Sequence, residues 1–204
     1  KLGALPRTPL IEAPTPVEAL RIAGIPEGAL FVKRDDLSSP VYGGNKARKL
    51  EFTLAAAAAR GARRLVTTGG IGTHHGLATA IFGRTLGMKT SVVVVPQPVN
   101  EHVRKQLRAL LAFGAELLPA RNVPVAALQV VRAFTVATLR GEKPSWVPTG
   151  GSSALADVGF DRYAEVARGV ERALSLPLTF ALQELPWVLI ELGEPSVRKL
   201  LVRF

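Results

Sequence analysis

Cysteine is absent from the 204-residue chain. Its absence excludes disulfides and thiolate-bound metal, and it points to a reducing, cytoplasmic location. Long apolar runs are missing too. The alanines at 55–59 and the valines at 92–95 are too short to cross a bilayer, so no membrane partner is expected. A secretory leader is not expected either, because prolines interrupt the opening "KLGALPRTPLIEAP" before an apolar segment can develop. Acidic residues are scarce, 16 against 26 basic ones, for a net charge of +10. An excess of this size suits a nucleic-acid binder. Here the basic residues are scattered along the chain, which favours a solvated basic surface with no nucleic-acid partner.

What is present is a core-forming composition, 48% hydrophobic, over a length that suits one large domain or two small ones. Residues 1–30 are punctuated by Pro6, Pro9, Pro14, Pro16 and Pro26, and read as an extended lead-in with a short helix near 16–22. "ALFVKRDDL" (29–37) holds a short strand, and its Asp35 and Asp36 read as a solvated turn or as partners of Lys33 and Arg34. A helix from about Lys46 to Arg60 follows, closed by Gly61. Strands at 63–69, 90–96 and 115–120, and a strand that runs into a second glycine turn over 145–151, then alternate with helices at 74–87, 100–114, 122–141 and about 155–174. Asn100 and Asn122 are N-caps, and Val103, Leu107, Leu110 and Leu111 share a helix face. This alternation predicts an α/β fold, a parallel sheet with helices on both faces. Ligands bind beyond the carboxyl ends of such strands, so the loops at 69–76, 96–100, 120–123 and 148–153 matter most. No internal repeat is evident.

Three stretches carry chemistry. "VYGGNKARKLEF" (41–52) puts Lys46 where a glycine turn enters a helix. Spare backbone N–H groups there welcome an anion, and Lys46 is a phosphate contact, an ordinary first-turn charge or a nucleophile. In "TTGGIGTHHG" (67–76), Gly69, Gly70 and Gly72 let the chain fold tightly and Thr73 stands at a helix start. That is a carboxylate or phosphate site, or a tight turn capped by Thr73. A dinucleotide fingerprint fits poorly, with His75 where its third glycine should be. His74 and His75 would point about 100° apart on a helix, a poor chelating pair, so no metal is expected. In "VPTGGSS" (147–153), Gly150, Gly151, Ser152 and Ser153 make another anion-accepting helix entrance or a capped turn. A lysine among other cations loses its proton more readily and can condense with an aldehyde. An aldehyde cofactor carrying a phosphate would use all three loops.

"VKRDDLSSPVYGGNKARKLEF" resembles the corresponding segment of the fold-type II pyridoxal-phosphate enzymes that include 1-aminocyclopropane-1-carboxylate deaminase and D-cysteine desulfhydrase. The resemblance continues through "TTGGIGTHHGLATAIFGRTLGM" and "VPTGGSSALADVGFDRYAEVA", over about residues 8–170. It implies the tryptophan synthase β-like architecture and pyridoxal 5'-phosphate as cofactor. Lys46 matches the lysine that carries the cofactor as a Schiff base and moves the substrate's protons, with Asn45 beside it to help orient it. Thr73 stands where the family usually has a serine that touches substrate. His74 stands where the family usually has an asparagine that bonds the cofactor's 3-oxygen. Gly72 replaces a usual glutamine, and Gly76 and Leu77 also depart from the commoner pattern. By this resemblance Lys46, Asn45, His74, Gly150, Gly151 and Ser152 face the cofactor, Gly70, Gly72, Thr73 and His74 hold the substrate carboxylate, and Lys46 and Thr73 are catalytic.

The implied function is a deaminase or lyase that releases ammonia and a 2-oxo acid from a small amino acid. The implied organisation is a large cofactor domain from 1–48 and 147–204 and a small α/β domain at 49–146. Family members are considerably longer, so the large domain is expected to be incomplete here. The tail "LSLPLTFALQELPWVLIELGEPSVRKLLVRF" (174–204) lacks the expected glycine/threonine-rich phosphate loop. Two consequences follow as expectations. Uncovered apolar surface favours a homo-oligomer, and an inactive remnant that binds cofactor weakly is the alternative to a working enzyme. A basic nucleic-acid-binding domain is the third reading.

Overall fold

A computed structural model describes residues 5–19, 21, 23, 30–151 and 153, and the backbone of the strands at 178–180, 187–192 and 198–203. In chain order the elements are β1 (Val17–Ala19), β2 (Leu30–Arg34), α1 (Asn45–Ala59), β3 (Arg64–Gly70), α2 (His74–Thr85), β4 (Lys89–Val95), α3 (Glu101–Ala112), β5 (Glu116–Pro119), α4 (Val123–Leu139), β6 (Pro144–Trp146), β7 (Leu178–Phe180), β8 (Trp187–Leu192) and β9 (Arg198–Arg203). The chain forms two compact units, Lys1–Leu10 with Lys49–Val158, and Ile11–Arg48 with Gly159–Phe204.

The first unit is built on a parallel sheet in the order β5-β4-β3-β6. β4 is apolar along most of its length because both of its faces are covered. Val93 packs with Ala120, Ala126, Val125 and Val130, the α4 side. Val92, its neighbour, points the other way, and a Cβ added to Gly76 of α2 would come within 3.1 Å of its Cγ1. Helices therefore lie on both faces, as the alternation predicts. Local capping explains where they begin. Asn100 Oδ1 accepts from the Val103 N–H at 2.9 Å, and Asn122 Oδ1 accepts from the Val125 N–H at 3.0 Å. Each cap satisfies a donor that the first helical turn leaves open. On α3 the burial is narrower than the sequence suggests. Val103 and Leu110 are buried, but Leu111 is 57% exposed, because α3 packs on α2 along a thin stripe. The segment 145–151, read as a strand running into a glycine turn, is strand through Trp146 and then a 3-10 turn over Thr149–Gly151 in which Gly150 and Gly151 take φ of 70° and 73°. The helix expected near 155–174 lies outside the described residues.

At the amino ends of the strands, Arg64 donates to Glu142, Glu116 and Ser91, and Lys89 Nζ reaches Glu142 at 2.7 Å. Hydrogen bonds from Arg64 and then Lys89 hold the Glu142 carboxyl down to about 2, below its ordinary value of 4.5. A folded-state value below the unfolded one means stability that is present above about 4.5 and lost as the pH falls towards 2. Glu142→Gln is therefore expected to melt well below the parent at pH 7 and to close most of that gap at pH 3. A gap that stays constant between the two pH values contradicts the assignment.

The second unit holds a mixed sheet in the order β1-β2-β9-β8-β7. β2 runs parallel to β9, and the other pairs are antiparallel. The short helix expected near 16–22 is replaced by strand over 17–19. Val17 pairs opposite Lys33, and the Pro16 carbonyl accepts from the Arg34 N–H at 2.9 Å. The partner that fixes this segment is distant in sequence, so local propensity could not reveal it. Among the described residues no helix is long and apolar enough to cross a membrane.

Candidate active site

In the second unit, the turn before α1 is shaped by glycine. Gly44 has φ 101°, a conformation costly for any other residue, and its N–H donates to the Asp35 carbonyl at 2.8 Å and to Ser38 Oγ at 3.0 Å. A side chain on Gly43 would collide with the Asp36 carbonyl oxygen. Asn45 and Lys46 open the helix and are both half-buried.

The next turn of α1 is locked from below. Arg48 donates Nε to Asp35 Oδ2 at 2.7 Å and Nη2 to Asp35 Oδ1 at 2.8 Å. Thr15 Oγ1 donates to the same Oδ1 at 2.9 Å, and Lys33 Nζ lies 3.5 Å from it and 2.6 Å from the Thr15 carbonyl. Asp35 is 0% exposed, Lys33 1% and Arg48 3%. Burial, with Arg48 nearby, pushes the Lys33 ammonium below its usual value against the opposing pull of Asp35. Asp35 is thus buried and not in a solvated turn, and the pairing with Lys33 that the sequence offered as the alternative is present. Its main partner is Arg48, while Arg34 pairs with Asp36. The result is a rigid platform from which the first turn of α1 presents Lys46.

In the first unit, the loops after β3 and β6 meet at the carboxyl end of the sheet. Thr68 and Thr149 share a hydrogen bond between their hydroxyls. Thr73 caps α2: its Oγ1 accepts from the Gly76 N–H at 3.1 Å. Its methyl explains the glycine at 76, since a Cβ there would lie 2.5 Å from Thr73 Cγ2. The two departures from the family's commoner pattern therefore fit each other. His75 is 3% exposed, with Nε2 3.0 Å from Thr67 Oγ1. Gly151 packs on that ring. A Cβ at Gly151 would lie 3.3 Å from His75 Nδ1 and 3.4 Å from Lys49 Cδ.

His74, the exposed member of the pair, turns towards α3. Its Nε2 is 2.9 Å from His102 Nε2, and its Nδ1 is 3.5 Å from Gln106 Nε2. No cluster of three or more potential metal ligands occurs among the described residues.

Of the site residues expected from sequence, Gly70, Gly72, Thr73, His74, Gly150 and Gly151 thus belong to the first unit, at the ends of β3 and β6. Asn45 and Lys46 belong to the second. Ser152 lies outside the described residues. Sequence reasoning missed His75 as the residue that braces the Gly151 turn. Its apolar flank, Leu77, Ala78, Ile81 and Phe82, marks the buried side of α2 and was the available signal.

Comparison with known proteins gives these residues a context. The family described as "Pyridoxal-phosphate dependent enzyme" matches residues 4–170. The chain is 39% identical over 187 residues to nocardicin C-9' epimerase of Nocardia uniformis subsp. tsuyamanensis, covering 88% of this chain and 57% of the relative. It is 36% identical over 184 residues to D-cysteine desulfhydrase of Salmonella paratyphi A, covering 86% of this chain and 55% of the relative. The chain therefore spans just over half the length of these curated relatives. A crystal structure of an ACC deaminase homologue superposes with a TM-score of 0.69 at 26% identity, covering 91% of this chain and 54% of that one. Motif, fold and sequence likeness agree, and the chain belongs to the family of pyridoxal-phosphate dependent enzymes.

Proposed function

We propose that the protein acts on a small amino acid as a pyridoxal-phosphate dependent deaminase or lyase, of the D-cysteine desulfhydrase or 1-aminocyclopropane-1-carboxylate deaminase type. The observation that carries the reading is Lys46, a primary amine held half-buried in the first turn of α1 behind the glycine turn that Asp35 and Ser38 fix. The residues suit this cofactor. Lys46 offers the amine that an aldehyde requires, and the glycine turns at 69–72 and 150–151 offer bare backbone, with Gly150 and Gly151 at φ of 70° and 73°. When bound, pyridoxal phosphate supplies an electron-withdrawing ring that eases bond breaking at the substrate Cα.

The chain's own residues divide the remaining work. Lys46 Nζ holds the cofactor, with Asn45 beside it, and carries protons to and from the substrate. Thr73 Oγ1 accepts a hydrogen bond from the Gly76 N–H, which holds the hydroxyl at the start of α2 and leaves its own proton available to donate. The start of α2, with Gly70, Gly72 and Thr73, receives the substrate carboxylate, which the positive end of a helix favours. Gly150 and Gly151 would face the cofactor, and Ser152, which lies outside the described residues, is assigned beside them from the sequence alone. For His74 to bond the cofactor, its ring must give up His102. With 1-aminocyclopropane-1-carboxylate, ring opening and one water give ammonia and a four-carbon 2-oxo acid; with cysteine, sulfide leaves from the β-carbon and one water gives ammonia and pyruvate.

The likeness to an epimerase favours a second reading, in which a proton is removed from Cα and returned on the other face. Incubation with both cysteine enantiomers and with 1-aminocyclopropane-1-carboxylate separates the two. Ammonia with a 2-oxo acid supports the deaminase. Inversion of configuration without ammonia supports the epimerase. Neither product, with no exchange of the Cα proton in heavy water, overturns both.

A further inference from the structure

Gln97 follows the last residue of β4 by two positions, and β4 pairs in register with β3 so that Val95 lies opposite Gly70. Its side chain crosses the glycine turn at the end of β3. A Cβ on Gly70 would collide with Gln97 Oε1, and one on Gly72 would lie 3.0 Å from Gln97 Nε2 and 3.0 Å from Val103 Cγ2. Both ends of the carboxamide thus rest on the turn that leads to Thr73, and the two glycines are the reason it fits. The side chain is half-buried, and no hydrogen bond engages its amide among the described residues. A half-buried carboxamide whose donors no protein group engages has them open to a ligand at this turn.

We propose that Gln97 is a specificity-determining residue of this site, donating from its NH2 group to the substrate's carboxylate beside the Gly69–Thr73 turn. The inference rests on the reading that this turn receives an amino-acid carboxylate. The amide can turn end for end to present its nitrogen. A donor on a carboxylate is a charge-assisted bond, and its loss is expected to weaken binding about tenfold to a hundredfold.

The test uses the full chain loaded with pyridoxal phosphate and titrated with D- and L-alanine and with their methyl esters, followed by the change in visible absorbance. Gln97→Met keeps the packing over Gly70 but removes the amide, and Gln97→Glu sets a negative charge against the carboxylate. Both are expected to weaken alanine binding by about tenfold or more, Gln97→Glu by the larger factor, and to leave the uncharged esters nearly unchanged. Gly70→Ala, which displaces the amide, should show the same selective loss and add little to Gln97→Met. Borohydride fixation of the cofactor on Lys46, measured without amino acid, should be equal in the parent and the two Gln97 variants. If Lys46 fixes cofactor and Gln97→Met binds alanine as the parent does, Gln97 is only packing over the turn and the inference is overturned. If Lys46 itself fixes no cofactor, the underlying assignment fails, which is a different result.

Discussion

Lys46→Ala is expected to cut turnover of any amino-acid substrate by at least about a thousandfold, within the roughly hundredfold to ten-thousandfold that loss of a general acid/base group costs. The same variant should lose the covalent, borohydride-reducible link to the cofactor. The fold should not suffer. Alanine is the strongest helix former, Lys46 lies half-buried in the first turn of α1, and the turn before it is held through Gly44, Asp35 and Ser38. Loss of chemistry without loss of structure is what distinguishes a nucleophile from an ordinary first-turn charge. Lys46→Arg should be equally inactive, because a guanidinium stays protonated and cannot condense with an aldehyde. Circular dichroism of both variants, beside their absorbance with added cofactor, makes the comparison. Retained activity in Lys46→Ala would leave the basic residue with a structural or electrostatic role only.

The second large effect belongs to Asp35. Its carboxylate has no exposed surface and takes two hydrogen bonds from Arg48 and one from Thr15, with Lys33 Nζ at 3.5 Å. Asp35→Asn leaves two buried cations around an amide. Removing one partner of a buried ion pair typically costs about 3–5 kcal/mol, because the other charge stays buried without compensation. The unit formed by residues 11–48 and 159–204 should therefore unfold at markedly lower urea. Cofactor attachment at Lys46 should fall with it, since Arg48 stands two residues along the same helix. Replacing the Asp35–Arg48 pair by apolar groups, Asp35→Leu with Arg48→Met, should recover only part of the stability, because the Arg48 charge is removed with its partner while Lys33 stays buried with the Thr15 carbonyl alone. A urea midpoint for Asp35→Asn close to the parent's contradicts the buried geometry.

Much of the architecture was legible because its signals are local. Asn100, Asn122 and Thr73 cap helices where their side chains can reach the N–H three residues on, and that spacing is printed in the sequence. Gly61, Gly87 and Gly114 close helices at φ of 73°, 71° and 77°. The valines of β4 announce a strand buried on both faces. The segment at 17–19 was not legible, because β2 supplies its partner across the intervening residues. Nor was β9, which pairs with β2 from near the other end of the chain. At the site, "GGNK" showed which lysine to watch, but not what anchors it. Asp35 read as part of a local charge cluster, and only the three-dimensional path brings Arg48 to it. Gln97 fell within a loop flagged by strand polarity alone, since a side chain's fit over two distant glycines has no sequence pattern.

The most direct measurement is the site of cofactor attachment: the purified chain mixed with pyridoxal phosphate, its visible spectrum recorded, then reduced with borohydride, digested and mapped. A single reduced adduct on Lys46, with an absorbance band that Lys46→Ala lacks, is the expected result. Absence of the band, or label spread over surface lysines such as Lys89, Lys105 and Lys143, would contradict the assignment of Lys46 as the residue that holds the cofactor.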